Sequence, residues 1–129
     1  MNKILYITYC CKNKAELAEN IEVYPEDLYL SSRIHSFIDM CEKHNYNWAI
    51  FSDKYGLVYK NEKIKWYDKS PATVTPAEYY CLLNMTITRL AEFECVYFFY
   101  QDHSFHPLYK QLVNDIKKYK RIKTFNILE

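Results

Sequence analysis

Apolar and polar positions alternate along the chain in a way that predicts strands and helices in turn. Residues 3–9, KILYITY, are β-branched and aromatic and too few for a stable helix, so they read as a buried strand. A polar stretch follows. From Ser31 the period changes: Ile34, Phe37, Ile38 and Cys41 fall at i, i+3, i+4 and i+7. That is one face of a helix, capped by Ser31 or Ser32 and ending near His44 and Asn45. Residues 48–52, WAIFS, form a second strand, left by the turn DKYGLV in which Gly56 takes a positive φ. Residues 59–75 lack periodicity and contain Pro71; they read as a long ordered loop with at most a short edge strand.

Thr75, Pro76 and Glu78 supply a hydroxyl cap, a proline at the first helical position and a carboxylate in the first turn of a helix reaching Ala91. Residues 94–100, ECVYFFY, are nearly continuous in apolar character, as a strand covered on both faces is. Leu108, Leu112, Val113 and Ile116 mark a third helix, and residues 122–128, IKTFNIL, close as a fourth strand. Strands alternating with helices imply right-handed crossovers. The predicted fold is an α/β three-layer sandwich, with a mostly parallel sheet of four to five strands in the order 2-1-3-4 and helices on both faces.

Composition narrows this picture without identifying an activity. A length of 129 residues accommodates one hydrophobic core without metals or disulfides, so residues 1–129 are expected to form a single domain. With 50% apolar and 26% charged residues the chain belongs among folded proteins. A net charge of +1 argues against a protein that coats polyanions, while leaving room for a local basic patch. Five irregularly spaced cysteines and a start without a signal-peptide apolar block lead us to expect reduced thiols and a cytoplasmic location. No run of 18 apolar residues is present, so no membrane partner is expected.

Chemistry is expected outside the carboxyl ends of the strands, where ligands bind in open α/β sheets. Three loops leave such ends: residues 10–14, CCKNK; 52–59, SDKYGLVY; and 101–107, QDHSFHP. Cys10, beside Lys12 and Lys14, is either a nucleophile whose pKa the positive charges lower or a small buried apolar residue. Cys11 is a turn residue or half of a strained vicinal disulfide. Lys12, Lys14 and Lys54 suit phosphate as point charges, or else sit on solvated faces. No Walker loop and no G-x-G-x-x-G motif occurs, so standard ATPase and dinucleotide folds are unsupported and no cofactor is implied. His103 and His106 form an H-x-x-H pair without an accompanying C-x-x-C or H-E-x-x-H, and no metal site is expected. One of the pair suits a helix cap, and His103 suits a general base. Asp68 is an acid, a base or a turn former.

Taken in order, the segments YCCKNK, PEDLYLSSRIHSF and WAIFSDKYGLVYKNEKIKWYD resemble a widespread, poorly characterised microbial and phage α/β family. Its pattern is Cys-Ser-Lys-x-Lys, then Pro-Ala-x-x-Leu-Tyr-x-Ser with a following Phe, then a Ser-Ala-Lys-Tyr-Gly-Leu turn and a Pro-Tyr-Asp. The resemblance spans roughly residues 4 to 115 and selects Cys10, Lys12, Lys14, Tyr29, Ser31, Ser52, Lys54, Tyr55, Gly56, Leu57, Tyr67 and Asp68. The chain departs from the pattern at Cys11, Asp53 and Trp66, where the family has serine, alanine and proline. More distantly, Cys10-x3-Lys14 and Tyr29-x2-Ser32-x2-His35 are similar to the two halves of a motif in the base-modifying core of archaeosine synthase. Here an insertion separates them and the proline beside the tyrosine is missing. This likeness implies a uracil-DNA-glycosylase-like fold with a pocket for a modified purine-like base.

The expected partner is therefore a nucleobase, a nucleotide or a nucleic acid. Cys10, Lys14 and Asp68 are the expected catalytic residues for transfer to, or hydrolysis at, a modified base. Lys12, Tyr29, Ser31, Ser32, His35, Ser52, Lys54, Tyr55, Gly56 and Tyr67 are expected to bind ligand, with Tyr29 or Tyr55 stacking on the base. The competing expectation is a non-catalytic nucleotide- or protein-binding module, associated with phage or defence.

Overall fold

The computed structural model describes residues 3–127, and its elements follow the predicted alternation, with three short additions at residues 22–23, 25–28 and 56–59. In chain order they are β1 (Ile4–Tyr9), β2 (Glu22–Val23), α1 (Pro25–Leu28), α2 (Ser32–Lys43), β3 (Asn47–Ser52), β4 (Gly56–Tyr59) and β5 (Ile64–Lys65). Then come α3 (Pro76–Arg89), β6 (Cys95–Tyr100), α4 (Pro107–Ile116) and β7 (Arg121–Asn126). Five strands form one sheet in the order β4-β3-β1-β6-β7. β1, β3, β6 and β7 are parallel in the expected order, and β4 adds an antiparallel edge. The last residue of the expected fourth strand, Leu128, lies outside the described residues.

Two sequence expectations need correction. DKYGLV is only partly a turn: Gly56–Tyr59 turns back on β3 as β4, pairing Ser52 with Gly56 and Ile50 with Val58. A four-residue apolar run directly after a tight turn has too little length to show a period, which hid the strand. The short strand inside residues 59–75 is β5, and it pairs with β2 as a separate antiparallel ribbon instead of extending the main sheet.

Helix ends follow their local chemistry. Ser31, not Ser32, caps α2 by accepting from the Ile34 N–H at 3.3 Å, and Asn45 leaves the helix with φ 58°. Thr75 and Glu78 form a reciprocal capping box at the start of α3. Gly56 has φ 76°, and a Cβ there would meet the Met85 Sδ at 2.6 Å. The sulfur lies near the end of a flexible, exposed side chain that can move, so the backbone conformation dominates the cost. Gly56→Ala is therefore expected to destabilise the fold by about 1–2 kcal/mol in chemical denaturation. An unchanged midpoint would show that this turn tolerates a side chain.

The sheet is covered on both faces. Tyr6 and Thr8 of β1 share a face with Trp48 and Phe99, and Phe37 of α2 packs against the last two. Tyr9 and Phe51 point the other way, toward Tyr109 of α4, and α3 packs beside α4. The chain first crosses from β1 to β3 over one face, then returns to β6 on the other side of β1 over the opposite face. Strand order thus reverses between β1 and β6, and the loops leaving their carboxyl ends diverge there.

Candidate functional site

A cleft of about 490 Å³ opens at this reversal. The end of β1 supplies Tyr9, and the following loop supplies Cys10, Lys12 and Lys14. Ser31, Ser32 and Arg33 come from the first turn of α2, and Asp53 follows β3. Asp68 and Lys69 come from the segment after β5, and Gln101 and His103 from the one after β6. Three of these loops were expected to converge, and they do.

Arg33 is the most consequential side chain among them. It is only 8% exposed. Its Nη1 donates to the Thr8 Oγ1 at 2.6 Å, and its Nη2 donates to the carbonyls of Tyr9 at 3.0 Å and Cys10 at 3.2 Å. The guanidinium also lies 4.1 Å from the centre of the Tyr9 ring. Among the described residues no carboxylate pairs with it. Burial pushes its pKa below the usual arginine value, yet guanidinium remains charged at neutral pH. A buried cation without a counter-ion costs several kcal/mol, which an anion entering the cleft would relieve.

Cys10 and Asp53 form the wall beside it. The Cys10 thiol donates to the Asp53 Oδ1 at 3.6 Å and lies 3.4 Å from the Tyr109 hydroxyl. Burial, then the neighbouring Asp53 carboxylate, push the thiol up to about 11. Of the two readings of Cys10, the buried residue fits and the thiol activated by Lys12 and Lys14 does not, because desolvation disfavours the thiolate. Cys11 instead turns its thiol to the Asn13 carbonyl at 3.1 Å, and both cysteines are free thiols rather than a vicinal disulfide. Asp53 is 1% exposed, and burial raises its carboxyl above the usual range.

Several expected binding residues lie behind the cleft instead of in it. Tyr29 is fully buried, and its hydroxyl bonds the Tyr67 hydroxyl at 2.7 Å, so its ring offers no face to a base. Ser52 donates to the same Tyr67 oxygen at 2.9 Å and accepts from the Lys54 and Tyr55 N–H groups, fixing the turn before β4. Tyr55 packs edge-on against Tyr67 and donates to the Lys65 carbonyl. Gly56 is buried against α3. Lys14 bridges the two groups, lining the cleft with its Nζ 4.4 Å from the centre of the Tyr67 ring. These residues build the wall that holds Lys14 and Asp68 at the cleft.

Others stand further away. His35 lies at a separate depression with Glu26 and Asp39, its Nε2 3.2 Å from the Glu26 carbonyl. Lys54 lines an adjoining cleft of about 550 Å³, which also touches Asp53, Asp68 and Lys69. His106 accepts from the Leu108 N–H at 3.0 Å as the cap of α4, while His103 lines the main cleft. Among the described residues no three His, Cys, Asp or Glu side chains stand where they could hold a metal ion. Nor is any described helix long and apolar enough to cross a membrane.

Sequence reasoning missed Arg33, Asp53 and Lys69. Arg33 did leave a signal: it precedes Phe37 and Cys41 by four and eight residues, which puts a charge on the buried face of α2. Asp53 showed only as a departure from the resembling family's alanine, and Lys69 left no signal, since single charged residues in loops are ordinary.

The strand reversal with a charged cleft at its carboxyl edge defines an open-sheet α/β protein whose cleft lies where proteins of that class usually bind ligands. The chain belongs to a family of unknown function, DUF6884, whose model matches residues 5–96. The match takes in Cys10, Arg33, Asp53 and Asp68 and ends before His103. No curated protein and no solved structure matches the chain.

Proposed function

We propose that the cleft binds a nucleotide, with its phosphate held by Arg33, Lys12 and Lys14 at the first turn of α2. The observation that carries this proposal is the buried Arg33 guanidinium, which borders the cleft without a carboxylate partner among the described residues. Lysines add point charges around a fork-shaped donor, and the N–H groups at the start of α2 favour an anion. A volume of about 490 Å³ is in the range of small-molecule sites and suits a nucleoside monophosphate.

Asp53, Asp68 and His103 are the acid–base groups that border the bound molecule. Hydrolysis or modification of the base would draw on them, with the Cys10 thiol as a proton donor in the wall rather than a ready nucleophile. The protonated thiol also favours a second reading, in which the cleft binds a nucleotide without reacting with it. Titration calorimetry with AMP, GMP, adenosine and guanosine tests the proposal. The monophosphates are expected to bind and the nucleosides to bind at least tenfold more weakly, given the strength of charge-assisted hydrogen bonds. Equal affinities for both would remove the phosphate from the site. Incubating AMP and GMP with the protein and following them by chromatography then separates enzyme from binding module.

A further inference from the structure

Two buried charges of opposite sign flank Cys10 in the cleft without pairing with each other. Arg33 lies against the Cys10 carbonyl at 3.2 Å, and Asp53 against its thiol at 3.6 Å. The carboxylate is the less satisfied of the two. A carboxylate offers about four lone-pair directions, and here the Cys10 thiol is the one side-chain donor in reach among the described residues. Lys14 and Lys69 are near enough to influence Asp53 electrostatically, but neither comes within ion-pairing distance. Asp53 borders both the main cleft and the adjoining one, so it faces any ligand that extends from the first toward the second.

With a weak sulfur as its one side-chain donor and its own backbone N–H beside it, the Asp53 carboxylate keeps acceptor capacity that a donor entering the cleft would use. The thiol takes one lone-pair direction on Oδ1, so both oxygens keep free directions, and two adjacent N–H or O–H groups match them. We propose that Asp53 is the specificity residue of this cleft, its two oxygens receiving a pair of adjacent hydrogen-bond donors on the bound nucleotide. This rests on the nucleotide proposal above, and it adds which part of the nucleotide is read. Two parts carry such a pair: the ribose 2′- and 3′-hydroxyls, and the amino–imino edge of guanine. Asp53 is a positioning and recognition group here. No covalent step is assigned to it.

The test needs four ligands and two proteins. AMP, dAMP, GMP and dGMP are titrated into the native chain and into Asp53→Asn, whose side chain keeps the volume but presents only one acceptor. If the ribose hydroxyls are read, AMP and GMP bind roughly tenfold or more tighter than both deoxynucleotides, as loss of a hydrogen bond to a charged group implies. If the guanine edge is read, GMP and dGMP exceed AMP and dAMP by a similar factor. Either pattern supports the proposal when Asp53→Asn flattens it while inorganic phosphate still competes equally well with both proteins. Thermal unfolding of the variant confirms that it folds, and the preference in the native chain stands as a test without it. Native protein that binds all four alike overturns the Asp53 assignment and leaves nucleotide binding intact, as does a preference that survives Asp53→Asn. Absence of binding to any of the four overturns both proposals together.

Discussion

Arg33→Met is expected to weaken nucleoside monophosphate binding by roughly a hundredfold while changing the stability of the empty protein far less. The asymmetry follows from what the guanidinium does in each state. Without ligand it satisfies the Thr8 hydroxyl and the Tyr9 and Cys10 carbonyls, but it also carries a charge that is 8% exposed and has no carboxylate partner among the described residues. Methionine fills similar space, removes that charge and forfeits those hydrogen bonds. The two stability effects oppose one another, and the net change is expected to stay within about 2 kcal/mol in denaturant titration. In the complex nothing offsets the loss, because the charge then has its anion. Arg33→Lys separates charge from geometry: a point-charge ammonium cannot span Thr8, Tyr9 and Cys10 at once, so only part of the affinity is expected to return. A variant that loses stability and binding in proportion would mark Arg33 as a purely structural residue.

The second large effect concerns Cys10. With its thiol pushed up to about 11, it is expected to react with iodoacetamide at neutral pH roughly a hundredfold more slowly than free cysteine. Exposed Cys81 supplies the internal comparison, and peptide mass spectrometry over time reads both sites in one sample. Deprotonation requires a thiolate beside the Asp53 carboxylate in a buried wall, so the rate is expected to keep rising with pH well past the range where free cysteine levels off. Rapid labelling of Cys10 near neutrality would restore it as an activated nucleophile. Slow labelling confines its role to the wall and to hydrogen bonding with Asp53 and Tyr109.

Periodicity carried most of the fold. The parallel strands are apolar enough, and the helices amphipathic enough, for their type and order along the chain to be read from residue spacing, while the sheet order followed from the crossover rule. Strand β4 escaped because four residues after a turn establish no period, and its pairing with β3 is a tertiary choice. The location of the cleft was legible for a topological reason, since alternating crossovers fix which strand ends face the reversal.

The division of labour inside the site was less legible. Tyr29, Ser52 and Tyr67 form a buried hydroxyl cluster, and residue type alone does not distinguish a tyrosine that stacks on ligand from one that props up a wall. Arg33 went unnoticed, and Asp53 stood out only as a departure from the family pattern, for the opposite reason. A charged residue is assumed exposed until its burial is seen.

The most direct test of nucleotide binding is a crystal structure of the protein grown with GMP or AMP. The phosphate is expected within hydrogen-bonding distance of the Arg33 guanidinium and the first turn of α2, with the ribose or base toward Asp53. A phosphate bound elsewhere on the molecule, or a cleft left without nucleotide at a concentration that saturates binding in solution, would contradict it.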